Sequence, residues 1–583
     1  MKKYIGILLC FMCIIVFFAG ESIARTKIIA ESHKVDVLIE TLGADSVFDR
    51  EKAAERLGEL KDLRAVEPLI KALDDETPRV RRAAAKALGA LKDMRAAEPL
   101  LEALSDRHWS VQKEAVEALG ELREKRSIEQ IIKLLEMGSG EVGAAAAKVL
   151  GKFRDIRAVE PIIKQLNNNY TNIQIAATIA LGEIKDERAV EPLIKVLRDD
   201  KREGRAAAAK SLGKIKSHQA VDPLIETLGD KNPHIAVAAA KALGELSDKR
   251  AVEPLRKVLN GAQIDLSAAA AEALGTIRDS GATGQLIEAL VDQNRDKSVR
   301  KEAVIALGKI KDSRTYELIL EALDDKYSEV RKAAAFALGE LNDARAVESL
   351  IECLFDSDGG VRIHAAKALG KLKDARATEQ IVKVLKGTHE MEFRTAAVEA
   401  LGEIKDERGV DILIKALFYM KNNPYYDKTR VSATIALGEI RDPRAIKPLF
   451  TALRDRNEEV RIGAVKTLGL LMDKLAIDPL IKTLGDQSGN VRVEAVQVLS
   501  RLGETKWGEY IKGDDDDFVR LGESEDPQVI GPLIRALANE NLRVRDEVIK
   551  ALVKMKAVKP LVMAVYDKNP NVRSLAAYAL EQL

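Results

Sequence analysis

The sequence predicts an all-α fold, an α-solenoid (superhelix) of about seventeen stacked helical hairpins. Three observations carry this prediction. A Leu-Gly pair returns at Gly58, Gly89, Gly120, Gly151, Gly182, Gly213, Gly244, Gly275, Gly308, Gly339, Gly370, Gly402, Gly438 and Gly469, mostly at intervals of 31 residues, with exceptions of 33, 32 and 36. Apolar residues before each glycine fall on one helical face. A short acidic residue four positions after most of these glycines opens a second apolar run.

The phrase around Gly89 shows the first helix of the pattern. Val80, Ala83, Ala84, Ala87, Leu88 and Leu91 occupy i, i+3, i+4, i+7, i+8 and i+11, one face of an α-helix. Leu91 keeps the phase two residues beyond the glycine, as do Leu60, Leu122, Ile184, Ile215, Leu246 and Ile310. Gly89 is therefore expected inside the last turn, where a neighbouring helix crosses too closely for a side chain, in preference to serving as a C-terminal cap. Asp62, Asp93, Asp155 and their equivalents then read as N-caps of a helix such as Arg64 to Leu73. Pro68 and its equivalents fit early in that helix. No stretch shows sustained period-two alternation, so no sheet is predicted. One such hairpin cannot bury its apolar face alone, and stacking neighbours makes a continuous core.

The Asp-x-Arg-Ala-Val-Glu-Pro-Leu-Ile and Val-Arg-x-Ala-Ala-Ala-x-Ala-Leu-Gly phrases resemble the HEAT repeats of the phycobilisome-lyase-like family, from about residue 34 to the end. The resemblance implies a helical solenoid. It implies little about function, because similar repeats serve unrelated roles.

The chain has 583 residues, of which 32% are charged and 4% aromatic, with a net charge of +1. That balance suits an exposed amphipathic surface and argues against a nucleic-acid partner. Residues 1–24 form a separate segment. Lys2 and Lys3 precede an uncharged run from Tyr4 to Gly20, and Ser22-Ile23-Ala24 offers small residues for cleavage. This reads as a secretory signal, with an uncleaved membrane anchor at residues 4–20 as the alternative. Either places the chain in the periplasm or cell envelope. Cys10 and Cys13 belong to this run, and Cys353 is expected as a small core residue.

Residues 25–33 read as a linker and 34–503 as repeats. An insertion spans 504–523, and repeats resume over 524–583 with a C-terminal cap. The insertion holds Trp507, Tyr510 and the run Asp514 to Asp517. That run lacks the alternating ligands and glycine of a calcium loop, so a solvated acidic turn is expected. The chain is also lengthened by one residue at Gly387-Thr388-His389-Glu390. A longer turn runs from Phe418 to Asp427 and carries Tyr425 and Tyr426. It reads either as a tolerated enlarged loop or as an aromatic-tipped binding loop.

Two slots carry candidate function. Eight residues before the glycine stands arginine in most repeats, including Arg300, Arg331 and Arg362. Gln112, Gly143, Gln174, Ala236 and Ser267 replace it in the early middle of the array. Pairing with an Asp of the preceding turn, such as Asp74, Asp75, Asp324 or Asp325, would make an orienting ladder; a basic stripe for an acidic partner is the alternative. Three residues before the glycine, the outward slot is usually Lys or Glu, but it becomes Ile179, Ile305, Phe336 and Ile435. Ile305 and Phe336 lie in adjacent repeats, where exposed apolar neighbours would anchor a partner; the alternative is that local curvature buries both.

Enzyme readings find less support. Deoxyhypusine hydroxylases, also HEAT-like, use several His-Glu pairs to hold two metals. The six histidines here give one such pair, His389-Glu390. Bilin lyases would need a reactive thiol, and HEAT-like DNA glycosylases a basic cradle. There is no phosphate loop, no Gly-x-Ser-x-Gly and no zinc-ligand cysteine pair. The expectation is a monomeric, non-catalytic scaffold without metal or cofactor. It would bind protein or peptide along a concave surface lined by the alanine-rich helices, using Ile305, Phe336, Arg300, Arg331, Arg362, Tyr425 and Tyr426. The alternatives are an enzyme, bilin-lyase-like or metal-dependent, and a structural spacer in the envelope.

Overall fold

The computed structural model describes residues 34–137, 140–502, 530–537 and 542–583. The leader or anchor expected at 1–24, the linker at 25–33 and the acidic insertion at 504–523 lie outside the described residues. Among the described residues every regular element is helical and there is no strand. The fold is the all-α solenoid the repeat pattern calls for.

The hairpin from Asp62 to Leu91 shows how the sequence makes the unit. The Asp62 carboxylate accepts the Arg64 backbone N–H at 2.9 Å, which closes a 3₁₀ turn over Leu63–Ala65. The aspartate therefore caps this turn, and the α-helix proper, Val66–Lys71, begins one turn later than the periodicity suggests. Pro68 is its third residue, where a missing N–H costs nothing. The Asp75 carboxylate then accepts the Thr77 N–H at 2.8 Å, and Pro78 opens the long helix Pro78–Leu91. Val66 and Leu69 of the short helix are buried with Val80, Ala84 and Leu88 of the long one. Long helices pack on long helices of adjacent repeats, each with its own short helix behind it.

The glycines lie inside the long helices, as the phase of Leu91 requires. A Cβ built on Gly58 would sit 2.8 Å from Ala87 Cα, and one on Gly89 2.8 Å from Ala118 Cα. The same approach recurs at Gly151 against Ala180 and at Gly402 against Ala436. Each of these glycines meets the residue two positions before the next glycine, in the following repeat. The left-handed residue that ends each helix is not glycine. Lys61, Lys92, Arg123 and Lys185 take φ between 53° and 62°, at a cost of roughly 1–2 kcal/mol each. Glycine is therefore retained where backbones touch, and the cap tolerates a strained lysine or arginine.

The chain divides into two compact units, residues 1–285 and 286–583. Their boundary falls within the helix Thr283–Val291, between Gly275 and Gly308, the 33-residue interval. The first unit contains the long helices from Val47–Leu60 to Ile264–Ile277. The second contains those from Lys297–Ile310 onward. Among the described residues no helix is long and apolar enough to cross a membrane.

The close approach gives a sign-reversing test. Gly89→Ala is expected to destabilise by about 1–3 kcal/mol, because Ala118 backbone must move. Gly284→Ala, at a helical glycine with nothing within 4 Å, is expected to be neutral or stabilising by up to about 1 kcal/mol. Thermal unfolding of both variants reads the contrast, and equal shifts would remove the packing explanation.

Candidate binding surfaces

The arginine slot builds a ladder, with a geometry different from the one expected. Arg81 donates from Nε and Nη2 to both oxygens of Asp106 at 2.7 and 2.9 Å. Asp106 belongs to the turn that follows, 25 residues on. The preceding turn contributes backbone instead: Nη1 donates to the carbonyls of Asp75 and Glu76. Arg50 forks onto Asp75, Arg331 onto Asp356 and Arg461 onto Asp486 in the same way. The expected Arg81–Asp75 and Arg331–Asp325 carboxylate pairs are thus shifted by one repeat. Each of these four arginines grips its own turn through carbonyl oxygens and the next turn through a carboxylate. Where the slot is glutamine, the backbone grip survives alone: Gln112 and Gln174 donate to the carbonyls of Asp106 and Asn168.

Three of the arginines proposed as partner contacts are ladder members. Arg300 is buried and paired with Asp325, Arg331 is paired with Asp356, and Arg362 grips Glu390. Their charge is neutralised within the fold. Ile305 and Phe336 lie on packed neighbouring long helices and are half-buried. The Lys371 ammonium sits 5.3 Å from the Phe336 ring centroid. The exposed apolar residues of the outward slot are Ile179 and Ile435, at 46% and 57% exposure.

Ile435 borders a cleft of about 310 Å³ between the long helices Met391–Ile404 and Asp427–Ile440. Glu399, Glu403 and Glu439 line it with Lys373 and Lys405. Lys405 pairs with Glu439, and Glu399 accepts the Ser432 hydroxyl at 3.0 Å. Burial, and then the charge of Glu399, raise the Glu403 pKa. Sequence reading missed this cleft because Glu399 and Glu403 each look like ordinary solvated helix residues.

The enlarged turn separates its two tyrosines. Tyr425 is 60% exposed, whereas Tyr426 is buried and donates its hydroxyl to the His389 carbonyl at 2.9 Å. Tyr426 stands edge-on to Tyr419 and Tyr425. His389 hydrogen-bonds the Tyr419 hydroxyl through Nδ1, and the Glu390 carboxylate grips Arg362. The one His-Glu pair is thus tied into the turn. Among the described residues no cluster of three His, Cys, Asp or Glu side chains has metal-binding geometry. Burial pushes the Cys353 thiol up to about 12, which suppresses thiolate formation at neutral pH.

Stacked hairpins of this kind define an α-solenoid. The family model for HEAT repeats matches overlapping stretches from residues 35–107 through 422–500, and the chain belongs to the HEAT-repeat family. No curated protein matches it. Among solved structures it is similar to importin beta, at 13% identity and a TM-score of 0.56, covering 94% of this chain and 93% of that one. Kap95p, crystallised with RanGDP, matches at 14% identity and a TM-score of 0.52, covering 95% and 87%. Kap121p matches at 12% identity and 0.53, covering 95% and 75%. These likenesses concern the fold.

The ladder gives a pH-dependent prediction. The Arg331 hydrogen bond holds the Asp356 carboxyl below its ordinary value, against burial. Its folded-state pKa lies below an unfolded value of about 3.9. The stabilisation is therefore complete above that pH and is lost as pH falls through the folded-state value. Asp356→Asn leaves the half-buried Arg331 guanidinium without its counter-charge and is expected to cost about 1–3 kcal/mol at pH 7. It should also narrow the stability gap between pH 7 and pH 3. Urea melts at both pH values measure this, and an unchanged melt at pH 7 would contradict the pairing.

Proposed function

We propose that this chain is a non-catalytic scaffold that binds a protein or peptide across the outward face of its long helices. The observation that carries this reading is the placement of exposed Ile179 and Ile435 in a slot that other repeats fill with Lys or Glu. Large exposed aliphatics in a charged row favour burial by a partner. The fold supports the reading: Kap121p has been crystallised bound to Pho4p, to Ste12p and to the extreme C-terminus of Cdc14p.

Within this proposal, Ile305 and Phe336 contribute apolar surface beside Lys371, and Tyr425 contributes an exposed ring on the second unit. The phycobilisome-lyase-like phrases support placing the chain in that branch of the HEAT-repeat proteins, in a binding role. Residues 1–24 deliver the scaffold, as a monomer, to the periplasm or cell envelope, where they are cleaved or retained as a tether.

Affinity capture from an envelope fraction tests the surface directly. Ile435→Asp and Ile179→Asp, at exposed positions, are expected to keep the melting temperature of the parent and to lose specific partners. Capture profiles identical to the parent would favour a spacer and overturn the scaffold reading.

A further inference from the structure

One ladder arginine breaks the rule. Arg394 lies in the long helix Met391–Ile404 and is only 4% exposed. Its Nη1 keeps the backbone grip of its siblings, donating to the carbonyls of Leu385 and Thr388 at 2.8 Å. The position 25 residues on, aspartate for Arg50, Arg81, Arg331 and Arg461, is Tyr419; Arg362, with Gly387 there, reaches the Glu390 carboxylate instead. The tyrosine ring lies against the guanidinium, 3.7 Å from carbon to centroid. Its hydroxyl is directed to His389. Among the described residues Nε has no hydrogen-bond partner, and Nη2 makes no hydrogen bond. In Arg81, Arg331 and Arg461 this Nε–Nη2 edge is the one that forks onto a carboxylate. Nearby acids are engaged elsewhere: Glu390 grips Arg362, and Asp427 serves Arg430, Arg456 and Asn457.

A buried cation without a counter-charge is costly. A face-on aromatic ring offsets part of that cost. Burial accordingly pushes the Arg394 guanidinium below its ordinary pKa, with Tyr419 and Tyr426 opposing. The stacked ring covers a face of the guanidinium and leaves its in-plane edge as the donor set. That edge matches a carboxylate in two-point geometry.

We infer that Arg394 receives an aspartate or glutamate carboxylate from a partner protein segment, which takes the place of the missing ladder aspartate. The inference rests on the scaffold reading and names the chemistry of one of its contacts. The occupant is a protein segment, and not a free anion, because exposed Tyr425 packs edge-on to Tyr426 in the same turn. It offers an apolar ring beside the charge. An acidic residue flanked by an apolar one satisfies both features. Tyr419 orients the guanidinium, and Tyr426 fixes the turn through the His389 carbonyl.

A library of random twelve-residue peptides, displayed on phage and panned against the full chain, tests this. Arg394→Gln serves as the counter-target. Gln112 and Gln174 show that glutamine in this slot preserves the backbone grip, so the variant keeps its local structure. Peptides enriched on the parent and depleted on Arg394→Gln are expected to share an acidic residue. Synthetic twins with that residue changed to its amide should bind on the order of ten- to a hundredfold more weakly. Tyr425→Ala, at an exposed position, should weaken the same peptides several-fold. Amide twins that bind as well as the acids, or enriched peptides indifferent to Arg394→Gln, would overturn the carboxylate site and leave the scaffold reading standing. Enrichment of no peptide on any form would overturn both. A rise in melting temperature with acetate alone, lost in Arg394→Gln and with no acidic peptides recovered, would assign the edge to a free anion and also overturn the inference.

Discussion

Consecutive long helices touch where the glycine of one meets the alanine two positions before the glycine of the next. Gly58 against Ala87 and Gly89 against Ala118 leave no room for a methyl group between backbones. This single constraint sets the rest of the repeat. Helices that approach this closely need small residues along the contact, which explains Ala83, Ala84 and Ala87. Close approach of the long helices leaves Leu and Ile of the short helices to fill the second layer. The constraint also explains why glycine is absent from the helix cap. The cap can hold Lys61 or Lys92 in a left-handed conformation, whereas the crossing can hold almost nothing but glycine.

The arginine ladder adds register to this stack. A guanidinium that takes carbonyl oxygens from its own turn and a carboxylate from the next fixes two turns against each other. The pairing is partly buried, so its value lies more in the cost of breaking it than in net stabilisation. The first unit drops the arginine in several repeats; the acid 25 residues on is lost with it after Gln112, Gly143 and Ala236, but Asp199 and Asp292 remain after Gln174 and Ser267. Gln112 and Gln174 then keep only the backbone half of the contact. The second unit keeps the arginines throughout. At Arg394 alone, among ladder arginines whose contacts are fully described, a tyrosine ring stands where the carboxylate belongs.

Much of this was legible from the residues. The phase of Leu91 revealed that Gly89 lies within a helix, and the Asp62 series revealed a cap. The direction of the ladder was not legible. Asp75 lies six residues before Arg81 and 25 after Arg50, and only the stacking geometry decides which carboxylate meets which guanidinium. Nor could sequence separate Tyr425 from Tyr426, because their fates depend on a hydrogen bond to the His389 carbonyl one repeat away. For Ile305 and Phe336 the sequence leaves open exposure as an anchor and burial by local curvature. Phe336 is half-covered by Lys371 of the next repeat, a contact across 35 positions. The Arg394–Tyr419 pairing did leave a sequence signal: the ladder offset of 25 lands on an aromatic residue at the longest interval of the array.

The central claim is that the glycine crossing, and not intrinsic helix propensity, organises the stack. Gly120 isolates it, because the nearest atoms a Cβ there would meet belong to the Val149 side chain, at 2.8 Å from Cγ2. A double-mutant cycle of Gly120→Ala and Val149→Ala measures the coupling by equilibrium unfolding. The account predicts non-additivity of at least about 1 kcal/mol, with the second substitution relieving the first. Strictly additive effects would contradict it.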